Sequence, residues 1–293
     1  MIESPSQNSK KTRRLFGLLP RRPTVAVLPL AGVIATGGGL RSSLSYRDTV
    51  GRIEQAFGGR GTVAVAVLVN SPGGSPVQST LIFKRIRALA EEKKIPVITF
   101  AEDVAASGGY MLALVGDEIF ADPSSIVGSI GVISAGFGFT GLMERLGVER
   151  RLLTAGDSKS IMDPFSPLKE EDVARVKAIQ SDIHETFKSM VRDRRAGKLT
   201  APEDQLFNGN VWTAIEAKKL GLIDDLGDMR SVMRERYGKK VRFRLIGERK
   251  SWIKRRFGLS ALDGRGTGGS IGTLAEDLLA AIEARALWAR YGL

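Results

Sequence analysis

The chain has no cysteine and a single histidine, His184, in 293 residues. Without thiolates there is neither a disulfide framework nor a thiolate metal site, and one imidazole cannot build a histidine-rich metal centre. His184 stands in a polar helical stretch with Asp182, Glu185 and Lys188, so it reads as a solvated helix residue and not as a ligand or a triad base. No apolar run reaches the roughly 18 residues that a membrane-crossing helix needs. The short run Leu15-Phe16-Gly17-Leu18-Leu19 is stopped by Pro20-Arg21-Arg22, well short of a secretory signal core, and a cytoplasmic protein is expected.

What is present is 43% hydrophobic residues, 34 glycines and a net charge of +12, the signature of a globular chain with many tight turns. The charge is unevenly placed. Residues 1–22 carry six basic residues against one acidic, and residues 239–293 carry twelve against five, so the stretch between them is neutral. Basic ends suit contact with an anionic surface, a membrane above all, better than a nucleic-acid groove in the core; the plain alternative is that they only keep the protein soluble. Nucleic acid is not an expected partner.

Along the chain, Thr24–Leu30 and Thr62–Val69 read as buried strands, with a helix over Tyr46–Phe57 between them. A helix over Val77–Glu92 leads to a strand from Ile95 to Phe100, then a helix from Ser107 to about Val115, then short strands at Glu118–Ala121 and Gly131–Ile133. Such alternation argues for an α/β protein with a largely parallel sheet, whose functional loops lie at the carboxyl ends of the strands. A long amphipathic helix is expected from about Lys169 to Arg195, and a helix followed by a short strand over Val211–Leu226. Beyond Gly238 come a basic strand-like stretch, a glycine-rich linker and an amphipathic helix from Thr273 to Tyr291.

Within this pattern Asp103-Val104-Ala105-Ala106-Ser107-Gly108-Gly109-Tyr110 puts one serine on a run of small residues where a strand turns into a helix. That geometry lifts a hydroxyl clear of the sheet and aims backbone N–H groups at the same point, so Ser107 is the candidate nucleophile; packing alone also places small residues before helices. A serine needs a base. His184, mid-helix, is poorly placed for a triad, whereas a desolvated lysine can be neutral and basic. Lys159 stands out in the loop Ala155-Gly156-Asp157-Ser158-Lys159-Ser160, although an exposed loop lysine is the ordinary reading of such a position.

Five segments together resemble one family: Asn70-Ser71-Pro72-Gly73-Gly74, Ala106 to Tyr110, Gly128-Ser129-Ile130-Gly131-Val132, Gly156 to Lys159, and Val211-Trp212-Thr213. In order and spacing they are similar to the serine peptidases of the signal peptide peptidase A (protease IV) type, over roughly residues 23 to 230. The resemblance implies a crotonase-like, Clp-protease-like α/β fold with repeated β-β-α units. It implies Ser107 as acyl-forming nucleophile, Lys159 as general base, Ser129 orienting the lysine, and Gly73, Gly74 and Gly108 as source of the oxyanion N–H groups, with neither metal nor cofactor. It also implies a homo-oligomer acting on extended apolar peptides such as cleaved signal peptides. The domain reading is a basic tail over 1–22, a peptidase domain over 23–238 and a basic extension over 239–293. The family's membrane-spanning segment is not found at the amino end, and asparagine and alanine in Asn208–Ala214 replace the usual arginine and glycine. Two rivals stand beside this reading: a crotonase-type acyl-CoA enzyme, and a non-catalytic, membrane-associated assembly protein.

Overall fold

In the computed structural model, which describes residues 22–36, 43–156, 158–247, 282 and 285–293, one eight-stranded sheet organises the chain. The first strands, β1 (Thr24–Ala31), β2 (Thr62–Ser71) and β3 (Val97–Ala106), alternate with helices α1 (Tyr46–Phe57) and α2 (Pro76–Lys93). Helix α3 (Gly108–Ala113) leads to β4 (Glu118–Ala121) and β5 (Ile126–Gly128). After α4 (Thr140–Leu146), α5 (Glu170–Arg194) and α6 (Glu203–Leu206) come β6 (Val211–Thr213), α7 (Ala214–Lys219), β7 (Asp225–Leu226), α8 (Met229–Tyr237) and β8 (Arg242–Leu245).

The strand order is β6-β5-β3-β2-β1-β8, with β4 and β7 branching from β3, and every pairing is parallel except β5 with β6. The long β3 makes the branch, its first half pairing with β4 and its second half with β5. Alternate residues of the strands serve two cores. Val65, Val67 and Val69 join Ala26, Leu28 and Leu30 under α1, α2 and α3, while Ala64 and Ala66 join Val25, Val27 and the α8 residue Met233 on the other face. A strand buried on both sides needs the continuous apolar run that Thr62–Val69 shows.

The helix ends explain themselves locally. Ser45 caps α1 by accepting from the Asp48 N–H and donating to the Asp48 carboxylate. Pro76 opens α2 behind the cap Ser75, and Lys94 closes it in the left-handed region.

Several expectations need correction. β3 runs on to Ala106, because the exposed pair Glu102 and Asp103 interrupts its apolar run without breaking the strand. Gly131–Ile133 is not a strand; the strand is β5, and Gly128 (φ 115°) and Ser129 (φ 53°) then turn the chain away from the sheet. Val211–Thr213 is the antiparallel edge strand β6, so the helix starts only at Ala214. The limit set at 238 falls too early, since Arg242–Leu245 pairs with Thr24–Val27 in the sheet. The helix expected from Thr273 lies largely outside the described residues, which show helix at 285–289.

One buried charge holds the branch. The Arg195 side chain is 2% exposed and donates to the Gly221 carbonyl and to Asp224, which also receives Lys198 and the Ile119 N–H. Burial pushes the Asp224 carboxyl up, but the bonds from Arg195, Lys198 and Ile119 outweigh it and hold it below its ordinary value. Asp224→Asn is therefore expected to lower the unfolding free energy at pH 7 by about 3–5 kcal/mol, because it leaves Arg195 buried without its counter-charge. A urea melt checks this. A depressed carboxyl stabilises above its unfolded value near 3.8 and loses that contribution as pH falls through the lower folded value. The gap between wild type and variant should accordingly close only in acid.

Candidate active site

Ser107 stands at the elbow between β3 and α3 with φ 53° and ψ −123°, a conformation that a side-chain-bearing residue adopts only under constraint, at a cost of about 1–3 kcal/mol. The constraints are visible. Its N–H donates to the Gly128 carbonyl at 2.8 Å, fixing the elbow to the end of β5. Tyr110, fully buried, donates its hydroxyl to the Leu222 carbonyl at 2.7 Å and pins α3 from the other side; burial raises the phenol well above its ordinary range. Gly109 lies so close to β2 that an added Cβ would sit 2.3 Å from the Ser71 carbonyl oxygen.

The Gly73-Gly74 turn at the end of β2 closes on this elbow. A Cβ on Gly73 (φ 103°) would lie 2.7 Å from the Ser107 Cβ and 2.9 Å from the Gly108 nitrogen, and a Cβ on Gly74 (φ 137°) would lie 2.0 Å from the Ile34 carbonyl oxygen. Only glycine permits that approach. The turn is tied down by Ile34, whose N–H donates to Gly73 and whose carbonyl accepts from Ser75. The Gly73 N–H reaches Ser71 Oγ at 3.2 Å, while no hydrogen bond engages the N–H of Gly74 or Gly108 among the described residues. Sequence reasoning placed Ser107, Gly73, Gly74 and Gly108 separately, and the structure brings all four together.

Beside Ser107 opens a cleft of about 370 Å³, lined by Pro76, Val77 and Leu81 of α2, Met111 of α3, Val132, and Ile183 and Phe187 of α5, with Lys84 as its one charged residue. The sequence showed the apolar faces of α2 and α5 but not that they converge on the serine. Ser129 is half-buried, also at positive φ, and its N–H donates to the Asn210 carbonyl at 2.7 Å. Asn210, in the segment where asparagine and alanine replace the usual arginine and glycine, thus clamps the Ser129 turn. His184 is not a free solvated residue: it is half-buried and its Nε2 lies 3.1 Å from the Ile130 carbonyl, which can only accept, so that nitrogen carries the proton. It ties α5 to the residue after Ser129.

Lys159 is elsewhere. Within one chain it is exposed and does not line the cleft. It belongs to an arm over residues 133–168 in which α4 buries none of its residues. Phe139 stacks on Phe165 within the arm, yet Phe137 is 81% and Leu153 98% exposed, with Ile133, Leu142 and Leu146 also open to solvent. Among the described residues no group of three His, Asp or Glu side chains is placed to hold a metal ion, and no helix is long and apolar enough to cross a membrane.

Residues 89–241, which include the elbow, the Ser129 turn and Lys159, match the sequence profile of peptidase family S49. The chain belongs to peptidase family S49. Among its relatives, a putative protease of Synechocystis sp. is 31% identical over 208 residues, covering 70% of each chain. A putative signal peptide peptidase SppA of Enterococcus faecium is 30% identical over 69% of this S49 chain and 60% of its own length. A Brucella abortus protein named Na(+)/H(+) antiporter NhaA is 52% identical over 284 residues, 94% of this chain. This chain spans 38% of that protein, so most of the Brucella sequence lies outside the match. A solved structure of the 1510-N membrane-bound stomatin-specific protease superposes with a TM-score of 0.48 at 18% identity, over 77% of this chain and 98% of that one.

Proposed function

We propose that this S49 member is a serine endopeptidase in which Ser107 attacks the peptide carbonyl and Lys159 takes the serine proton. The observation that carries the reading is the strained Ser107 elbow facing the Gly73-Gly74 turn. The developing oxyanion would be met by N–H groups of Gly108 and of the Gly73-Gly74 turn, the long Gly73 bond to Ser71 giving way to the stronger charged acceptor. The apolar cleft suits an extended apolar peptide, such as a cleaved signal peptide or an unfolded membrane-protein segment.

The exposed base has a physical explanation. Each large apolar side chain of the 133–168 arm stabilises by about 1.5–3 kcal/mol when covered, and soluble monomers rarely leave so many open. A second copy covering the arm would bury Phe137 and Leu153 and carry Lys159 toward a neighbour's Ser107, desolvating the amine as a lysine base requires. Ser129, whose N–H donates to the Asn210 carbonyl, carries the hydroxyl we assign to orient that amine. The active form is then a head-to-tail homo-oligomer in which each site draws on two copies.

The direct test is a serine-reactive peptidyl phosphonate followed by peptide mass mapping. Covalent adduct at Ser107, absent from Ser107→Ala, is the expected result. Intact, unlabelled Ser107 in a folded and assembled sample would sink the nucleophile assignment, and turnover of an acyl-CoA thioester in its place would favour the crotonase-type reading.

A further inference from the structure

The two basic ends of the sequence adjoin the fold at one edge of the sheet. Because β8 pairs in parallel with β1, Arg242 lies opposite Thr24 and its N–H donates to the Pro23 carbonyl. The segment 1–22, with net charge +5, therefore joins the fold beside Lys239, Lys240 and Arg242, the start of the +7 segment. Next to this edge opens a pocket of about 690 Å³ between the outer face of α1 and β8. Its walls hold Arg47, Arg52 and Arg244, and no ion pair neutralises any of the three among the described residues. The single carboxylate in the wall, Asp48, is already engaged by the cap Ser45.

The pocket is organised. Arg244 crosses Gly59 so closely that a Cβ there would sit 2.1 Å from Nη2, and Nη2 donates to the Gln55 and Ala56 carbonyls, fixing the guanidinium over the end of α1. Capping α1 accounts for Nη2 but not for the rest of the group: Nε of Arg244 and Nε of Arg52 are shut away without any hydrogen-bond partner. Arg52 spans to the Pro29 carbonyl at 3.5 Å, a weak contact, and Gly51 leaves open space where a side chain would fill the groove. Three arginines lacking carboxylates, one of them preset by the backbone, form an anion receptor, since guanidinium forks match phosphate oxygens.

We propose that this pocket seats the phosphate of an anionic lipid headgroup, so that the β1–β8 edge rests on an anionic membrane. The lipid, and not a nucleic acid, is favoured because both ends set short apolar runs among their basic residues: Leu15-Phe16-Gly17-Leu18-Leu19 in the first, Trp252-Ile253 in the second. Basic residues attract the headgroups while apolar side chains enter the acyl boundary. None of the pocket residues lines the Ser107 cleft, so the two faces act separately and this inference does not depend on the peptidase reading.

The test is co-sedimentation of the full chain with phosphatidylcholine vesicles with or without phosphatidylglycerol, comparing wild type with the Arg47→Gln/Arg52→Gln double variant. Wild type should pellet with the anionic vesicles alone. The double variant, with an unchanged thermal midpoint and unchanged phosphonate labelling, should need about thirtyfold more lipid, given roughly 1 kcal/mol for each of the two basic residues at such a surface. Equal binding by the variant would show that the ends act without the pocket and would overturn the proposal, as would equal binding to neutral vesicles. Binding of inorganic phosphate or of a short DNA duplex through the same two arginines, without vesicle binding, would reassign the site and overturn it too.

Discussion

Co-expressed as a mixture, the Ser107→Ala and Lys159→Ala variants are expected to cleave an extended apolar peptide although each variant alone is inert. Loss of either member of an acting pair costs about 10⁴-fold or more in turnover, because the hydroxyl is a poor nucleophile without a base and the base has nothing to activate without the hydroxyl. If each site takes its serine from one copy and its lysine from the next, random assembly restores about a quarter of the sites. The reason to expect this is the placement of Lys159 on an arm whose large apolar residues are uncovered within one chain. A steady-state assay of the mixture against the separate variants decides it. A mixture as inactive as its parts would confine the chemistry to one copy, and full activity of Lys159→Ala alone would remove that lysine from the mechanism.

Gly73→Ala should be nearly as damaging without touching a reacting group. The methyl would arrive 2.7 Å from the Ser107 Cβ and 3.0 Å from the Ala106 carbonyl oxygen, at a φ of 103° that alanine resists. Backbone surrounds most of that space, so the serine elbow has to shift, and displaced oxyanion donors alone cost about 10²–10³-fold in kcat. Phosphonate labelling of Ser107 should slow in step, even in the fraction of protein that a urea melt shows to be folded. Labelling at the wild-type rate would mean that the turn is remote from the chemistry.

Much of the fold was legible because burial writes itself into residue order. The β2 run from Thr62 to Val69 announced a strand covered on both faces, and the apolar spacing of α1 gave that helix to the residue. Strands made by pairing alone were hidden: β6 is three residues with two of them exposed, and nothing in Val211-Trp212-Thr213 signals that β5 will recruit it. β3 was cut short because Glu102 and Asp103 look like an end when they are an outward-facing interruption.

In the site, glycines and the elbow serine were readable because close approach and positive φ restrict which residues fit. The cleft was not, since Val77, Leu81, Ile183 and Phe187 come from helices about a hundred residues apart and look like ordinary amphipathic faces. His184 was misjudged for the same reason. Its polar neighbours in sequence say nothing of the Ile130 carbonyl that meets it across space.

The bond from Tyr110 to the Leu222 carbonyl joins groups 112 positions apart, and β1 finds its second neighbour only when β8 is made. A growing chain leaving the ribosome therefore carries the serine long before it has the tether that shapes it.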